Sequence, residues 1–196
     1  MMKLHYVRNF RLVLEFYQPM AHSQLDKDGE VMKQSLNEFL TTGLANIGFD
    51  GGLDLLWDKD GHTFTVDITF SIEQKGQHFL LDMTGDSSKE NPIEFVDTIL
   101  IYDGTKQNFK PAWSDDFLAC IAYNGKSGWE RARGVAFLEY LKVILLSGRE
   151  NLQHFLSNSD QLDFLLNFEL KWSEETFEQL VREKQKSISG TLPYEV

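Results

Sequence analysis

Strict alternation of apolar and polar residues is clearest between Thr63 and Ile72. Apolar side chains occupy the even positions of this segment and polar side chains the odd ones, and many are β-branched or aromatic. The pattern predicts a strand with one buried and one solvated face. Leu53–Trp57 precedes it through a turn containing Asp60-Gly61, a pair typical of hairpins. Alternation resumes over 77–83, which predicts a three-stranded antiparallel meander.

Helical spacing of apolar residues predicts a helix over about 30–47, with Asp26 or Asp28 as N-cap and Gly48 as a left-handed stop. A second helix is predicted over 130–146, ending at Gly148. The remaining predicted elements are strands at 95–102, 117–122 and 164–172, a short helix at 150–156, a C-terminal helix capped by Ser173, and a frayed tail from 187 to 196.

This order of elements predicts one α+β domain. Antiparallel hairpins come early in the chain and helices come late, which favours a mainly antiparallel sheet of five or six strands with the helices packed on one face. A chain of 196 residues with 42% hydrophobic residues is long enough to form such a core without disulfides or metals. The single cysteine, Cys120, excludes an internal disulfide and is interpreted as a buried apolar residue.

Charge narrows the possible partners. The net charge of −11 disfavours nucleic acid and anionic membrane surfaces, and no apolar stretch is long enough to cross a bilayer. Residues 1–19 differ from the rest, with three basic residues and one acidic residue. We therefore predict that 1–19 is an extension, with Met20 as a possible native start, and that 20–196 is the domain. The alternative is that 10–17 forms an edge strand or helix docked on the domain.

Two motifs resemble ligand-binding loops but lack essential residues. Gly125-Lys126-Ser127 matches the end of a phosphate-binding loop, yet Cys120 stands where the first glycine is required. The segment is therefore interpreted as a turn, with weak anion binding by the following helix start left open. The segment 58–61 resembles a calcium loop, but Leu56 would occupy its first ligand position, so a hairpin turn is favoured.

Candidate site residues fall into two groups. The polar faces of the predicted meander carry Asp67, His78 and Asp82, which together with Lys126 form a candidate ligand site; a solvated sheet face is the alternative, and no metal or cofactor is predicted. Trp113 and Trp129 form a candidate protein-interaction patch if they are exposed, with core packing as the alternative.

Several segments together resemble a family of uncharacterised cytosolic proteins from Firmicutes. They are Leu56-Trp57-Asp58 with His62 and Val66, then 95–102, 141–156 and 168–172. The resemblance covers about 30–185 and implies a cytoplasmic location, but no activity and no site residues.

The function favoured by these observations is a non-enzymatic module that binds a protein partner through a sheet face or the loop at 104–116. The alternative is an enzyme or a small-ligand or metal-binding protein with its site on the solvated sheet face. The sequence predicts no oligomeric state.

Overall fold

The structure, a computed structural model, describes residues 34–72, 93–106, 116–158 and 170–194. All of them belong to the compact unit Gln34–Val196. The predicted boundary between residues 19 and 20 and the predicted strand 77–83 lie outside the described residues. The predicted N-caps Asp26 and Asp28 are wrong for the helix predicted over about 30–47, because it begins at Leu36 and Ser35 caps it.

Three helices are described, and local sequence explains two of their beginnings. Helix α1 spans Leu36–Ala45 and begins with a capping box, in which Ser35 and Glu38 each accept a hydrogen bond from the other's backbone amide. Helix α2 spans Arg131–Asn158. Helix α3 spans Glu174–Lys184, and the side chain of Ser173 caps it as predicted. Gly48, after α1, has the predicted left-handed conformation with φ 72°.

The described strands form two sheets. Strands β1 (Gly52–Asp58), β2 (Thr63–Ile72), β3 (Ile93–Asp103) and β4 (Ala119–Tyr123) form a sheet in that order. The β1–β2 and β2–β3 pairings are antiparallel, and β3–β4 is parallel. A second sheet pairs β5 (Trp129–Glu130) with β6 (Thr191–Leu192). The chain therefore has the predicted α+β architecture with a mostly antiparallel main sheet.

The predicted meander and the single sheet of five or six strands are not confirmed. Strand β3 pairs with β2 from Thr63 to Ile72, on the side of β2 that the meander assigned to 77–83. The six described strands are divided between a sheet of four and a sheet of two. The alternation in β2 identified its two faces, but it carried no information about which later segment would become its neighbour.

One face of the main sheet forms the core. Phe64, Val66, Ile68 and Phe70 of β2 are buried, and Ile99 and Ile101 of β3 continue the same face. Helix α2 packs against this face, because its Gly148 lies beside the ring of Phe70. The opposite face carries the polar residues of β2, including Asp67 and Thr69.

Helix α2 is continuous across Gly148, so the predicted end at this glycine and the separate helix at 150–156 are wrong. A Cβ at position 148 would collide with the side chain of Leu170 and crowd Phe70. The glycine therefore serves close packing inside the helix rather than termination. The predicted strand 164–172 is also wrong over residues 170–172, which are not in a strand, and its remainder lies outside the described residues.

The C-terminal segment is part of the fold rather than a frayed tail. Leu192 is fully buried and Tyr194 is buried. The carbonyls of Gly190 and Pro193 accept hydrogen bonds from the amides of Arg131 and Leu36, which begin α2 and α1. These bonds satisfy donors that the first turns of both helices leave free. A short segment of low helix propensity thus joins the starts of two helices.

We expect Leu192→Ala to lower the free energy of unfolding by about 2–5 kcal/mol, because it removes a fully buried side chain. The matched control is Thr191→Ala at the exposed neighbouring position, for which we expect a change within about 0.5 kcal/mol. Chemical denaturation of both variants measures the difference. Equal stability of the two variants would show that residues after 186 are dispensable to the fold.

Candidate functional site

An aromatic cluster closes one end of the main sheet. Tyr194 stacks on His62 with 4.4 Å between ring centroids, and its ring lies 6.0 Å from that of Tyr123. The indole Nε1 of Trp57 donates to the Tyr194 hydroxyl at 2.6 Å, and this hydroxyl donates to the carbonyl of Lys59 at 3.1 Å. Phe64 packs against Trp57, Tyr123 and Tyr194. Through Tyr194, the cluster packs the C-terminal segment against the β1–β2 hairpin.

A buried carboxylate lies beneath this cluster. Asp103, at the end of β3, is only 6% exposed. Its Oδ1 accepts hydrogen bonds from the amide and hydroxyl of Thr105 and from the amide of Gly125, at 2.7–2.9 Å. Its Oδ2 lies 3.6 Å from Nδ1 of His62. One side chain thus holds the turn after β3, the turn after β4 and the end of the hairpin.

The pKa values of the buried groups follow from these contacts. Burial alone would raise the pKa of Asp103, but the hydrogen bonds from Thr105 and Gly125 and the neighbouring His62 outweigh it, so the pKa is lowered. Burial, together with Tyr194 and Asp103, raises the pKa of the Tyr123 hydroxyl. Tyr123 therefore remains protonated and donates to the carbonyl of His62 at 3.0 Å.

The geometry of this cluster favours a structural role. The distance of 3.6 Å between His62 Nδ1 and Asp103 Oδ2 is too long for a hydrogen bond, and Nδ1 is buried without a partner. A general base oriented by a carboxylate needs that bond to fix its tautomer. Within the described ranges, no three His, Cys, Asp or Glu residues are grouped as a metal site requires.

The segment 124–128 is a turn, as predicted, and the amides of 125–128 all donate to acceptors within the protein. The amide of Gly125 donates to Asp103, those of Lys126 and Ser127 donate to Oδ1 of Asn124, and that of Gly128 donates to the Asn124 carbonyl. A phosphate-binding loop needs such amides free for its ligand. The side chain of Lys126 extends into solvent rather than toward a cavity.

The candidate ligand site is not assembled by the described residues. His78 and Asp82 lie outside them. Asp67 is on the outer face of β2, four residues from Thr63, whereas Lys126 lies beyond the end of β4. Strand geometry separates Asp67 from Lys126 by about 13 Å along the sheet and about 10 Å across it.

Trp129 is 1% exposed, so its proposed place in a surface patch is wrong and the core-packing alternative is right. It packs against Phe137, with 5.8 Å between ring centroids. Trp113 lies outside the described residues.

Cys120 is half-buried on the outer sheet face, and burial raises the pKa of its thiol, which makes it a poor nucleophile.

The most accessible binding geometry lies at β1. Among the described strands, β1 is an edge of the main sheet, because β2 is its one neighbour. An open groove of about 460 Å³ separates β1 from α1. Its surface is almost equally polar and apolar, and the lining residues are Thr41, Leu44, Ala45, Gly48, Phe49, Gly51, Leu53 and Leu55.

The outer face of β1 carries an unfavourable charge pair. Asp54 lies directly opposite Asp67 of β2, and like charges in this arrangement destabilise a sheet. The hydroxyl of Thr98 donates to Asp67 at 2.8 Å from the β3 side. No described basic side chain forms an ion pair with either aspartate. The exposed Leu56 lies beside Asp54 on the same strand.

The chain matches a known protein family over most of its length. The family model described as "Protein of unknown function (DUF3013)" matches residues 31–194. The chain belongs to this family. The family assignment confirms the resemblance to uncharacterised proteins noted from the sequence, and it covers the sheet, the aromatic cluster and the groove.

A similar solved structure is described as a conserved protein of unknown function from Enterococcus faecalis. It is 25% identical, covers 84% of this chain and 97% of its own, and superposes with a TM-score of 0.64. Comparison with functionally curated proteins finds no match. In the described part of the chain, no helix has the length and apolar character needed to cross a membrane.

Sequence analysis missed both Asp103 and the β1 groove. Asp103-Gly104 after a buried strand signals a turn, but the partners of the carboxylate come from positions 62 and 125. Predicting the groove would have required knowing which helix lies beside which strand edge. The exposed Thr41 and Ala45, one turn apart in α1, were the available signal of a helix face left uncovered.

We expect Asp103→Asn to lower the free energy of unfolding by about 1–3 kcal/mol at neutral pH, because buried donors lose a charged acceptor. The lowered pKa means that the carboxylate stabilises the fold above its ordinary pKa of 3.8, and that this contribution is lost as the pH falls toward the lower value in the folded state. Denaturation from pH 7 to pH 2 should therefore show a smaller loss of stability in the variant. Parallel curves for both proteins would contradict the assignment.

We expect Asp54→Asn to raise the free energy of unfolding by about 0.2–1 kcal/mol, because it removes the like-charge pair with Asp67. The gain should shrink at 1 M salt, where exposed charges are screened. Thermal denaturation at low and high salt measures both effects. A destabilised variant would show that Asp54 makes a favourable contact instead.

Proposed function

We propose that this domain is a non-enzymatic module that binds an extended segment of a partner protein by adding it as a strand to β1. The single observation that carries the proposal is that β1, an edge among the described strands, borders a groove into which Leu53 and Leu55 project. An edge strand offers backbone donors and acceptors to an incoming strand, and an adjacent groove accepts alternate side chains.

The groove has suitable dimensions and chemistry. Its volume of about 460 Å³ lies within the range of ligand-binding clefts. The side chains of Leu53 and Leu55 reach it from β1, while Thr41 and Ala45 face it from α1. A peptide strand beside β1 would direct every second side chain between these two walls.

The groove also has room to accept more than one side chain. A second cavity of about 210 Å³ shares Phe49 and Gly51 with the groove and continues toward Phe70 and Arg149. The glycine at position 51 is required there, because a Cβ would collide with the Thr69 carbonyl and the Phe49 ring. The second cavity lies between 49–51, the end of β2 and helix α2.

We also propose a cytoplasmic location for this activity. The free Cys120 and the acidic composition are compatible with a reducing compartment. The sequence favoured a sheet face or the 104–116 loop as the interaction surface, and strand addition at β1 is proposed in their place because the loop is described only at its ends.

We expect Thr41→Trp to fill the groove and weaken peptide binding at least about tenfold, because the indole would occupy the space of the incoming side chains. The matched control is Thr42→Trp, since Thr42 is also exposed on α1 but does not line the groove. A random dodecapeptide display library is selected on the wild-type protein, and the affinities of enriched peptides are measured for all three proteins.

Hydrogen exchange provides the second measurement. A bound strand should protect backbone amides of Gly52–Asp58 in the wild-type protein and in Thr42→Trp, but not in Thr41→Trp. Failure to enrich any peptide, or enrichment of peptides that bind all three proteins equally, would overturn the proposal.

A further inference from the structure

We infer that the segment accepted by β1 is basic on one face and aliphatic on the other, with Lys or Arg alternating with Val, Ile or Leu. This inference rests on the proposed function, because it specifies the partner of the same strand edge. It is carried by the opposite chemistry of the two faces of β1 and by the charge of the domain.

The two faces of β1 make different demands on a neighbouring strand. Leu53 and Leu55 face the groove, so the residues of an added strand on that side meet two leucine side chains. Asp54, Leu56 and Asp58 are exposed on the outer face, so the residues on that side meet two carboxylates that flank one leucine. Because side chains alternate along a strand, these demands fall on successive residues of the partner.

The pair formed by Asp54 and Asp67 strengthens the requirement for positive charge. The carboxylates are cross-strand neighbours, and the Thr98 hydroxyl reaches Asp67 from the side away from β1. A Lys or Arg on the added strand would lie beside Asp54 and offset the repulsion between the two aspartates. Opposite charges on neighbouring strands are favourable, and this attraction weakens with added salt because Asp54 is exposed.

The same charges disfavour a second copy of this chain as the occupant. Antiparallel pairing of two β1 strands centred on Leu56 would place Asp54 of each copy opposite Asp58 of the other. Each copy also carries a net charge of −11. Acidic residues on an edge strand protect against such self-pairing, and a basic partner is the class of strand that this protection does not exclude.

The experiment uses three capped hexapeptides that differ on one face alone: Lys-Val-Lys-Val-Lys-Val, Ser-Val-Ser-Val-Ser-Val and Glu-Val-Glu-Val-Glu-Val. We expect the Lys peptide to bind the full chain about tenfold more tightly than the Ser peptide at low salt, and the Glu peptide to bind most weakly. Isothermal titration or fluorescence anisotropy gives the affinities. A peptide of the same composition in blocks, Lys-Lys-Lys-Val-Val-Val, should bind more weakly than the alternating one.

Variants separate the β1 charge from general attraction between opposite charges. Asp54→Asn should reduce the preference for the Lys peptide over the Ser peptide several-fold, while its melting temperature rises rather than falls. Glu175→Gln removes one exposed charge from α3, far from the groove lining, and should leave the preference unchanged. Equal effects of the two variants would overturn the inference, because the attraction would then be non-specific.

The outcomes distinguish this inference from the proposed function. If the Ser peptide binds the wild-type protein as tightly as the Lys peptide does, the inference of a basic partner is overturned. If Thr41→Trp still weakens the binding of the Ser peptide, the proposal of strand addition is retained. If none of the peptides responds to Thr41→Trp, strand addition itself is overturned. Dimerisation in analytical ultracentrifugation that Thr41→Trp abolishes would identify a second copy as the occupant and also overturn the inference.

Discussion

The backbone hydrogen bonds of β2 are satisfied on both sides, by β1 over Thr63–Thr69 and by β3 over Thr63–Ile72. Strand β2 therefore occupies the interior of the sheet, and its apolar face, fully covered, determines where the helices pack. An open sheet still has two edges, and the hairpin that precedes β2 makes β1 one of them. The site that we propose is a consequence of this order, because the groove lies where α1 runs beside this edge strand of the described sheet.

The parts of the fold that could be predicted are those determined by residues close in sequence. Alternation in β2, the cap at Ser173 and the left-handed Gly48 each act within a few positions. The errors came from contacts between distant residues. Gly148 was expected to end a helix, but it packs against Leu170 and Phe70. Leu192 was expected to lie in a frayed tail, but it pairs with Trp129. Such contacts have no local signature.

The candidate site was harder to predict for the same reason. The alternating pattern alone places Asp67 on the outer face of the sheet. Its position directly opposite Asp54 could be known only from the strand register. The resemblance of residues 125–127 to a phosphate loop has a physical basis in part. The Gly125 amide does bind an anionic group, which is the carboxylate of Asp103 rather than a ligand. The protein supplies its own anion, and a Cβ at position 125 would collide with it.

The contact between Trp57 and Tyr194 joins residues separated by 137 positions. During synthesis the hairpin of β1 and β2 is made before the aromatic residue that closes its end. Until then, Trp57 and the ring of Phe64 lack a neighbour that they have in the native state. This end of the sheet can therefore be completed only after Tyr194 has been made.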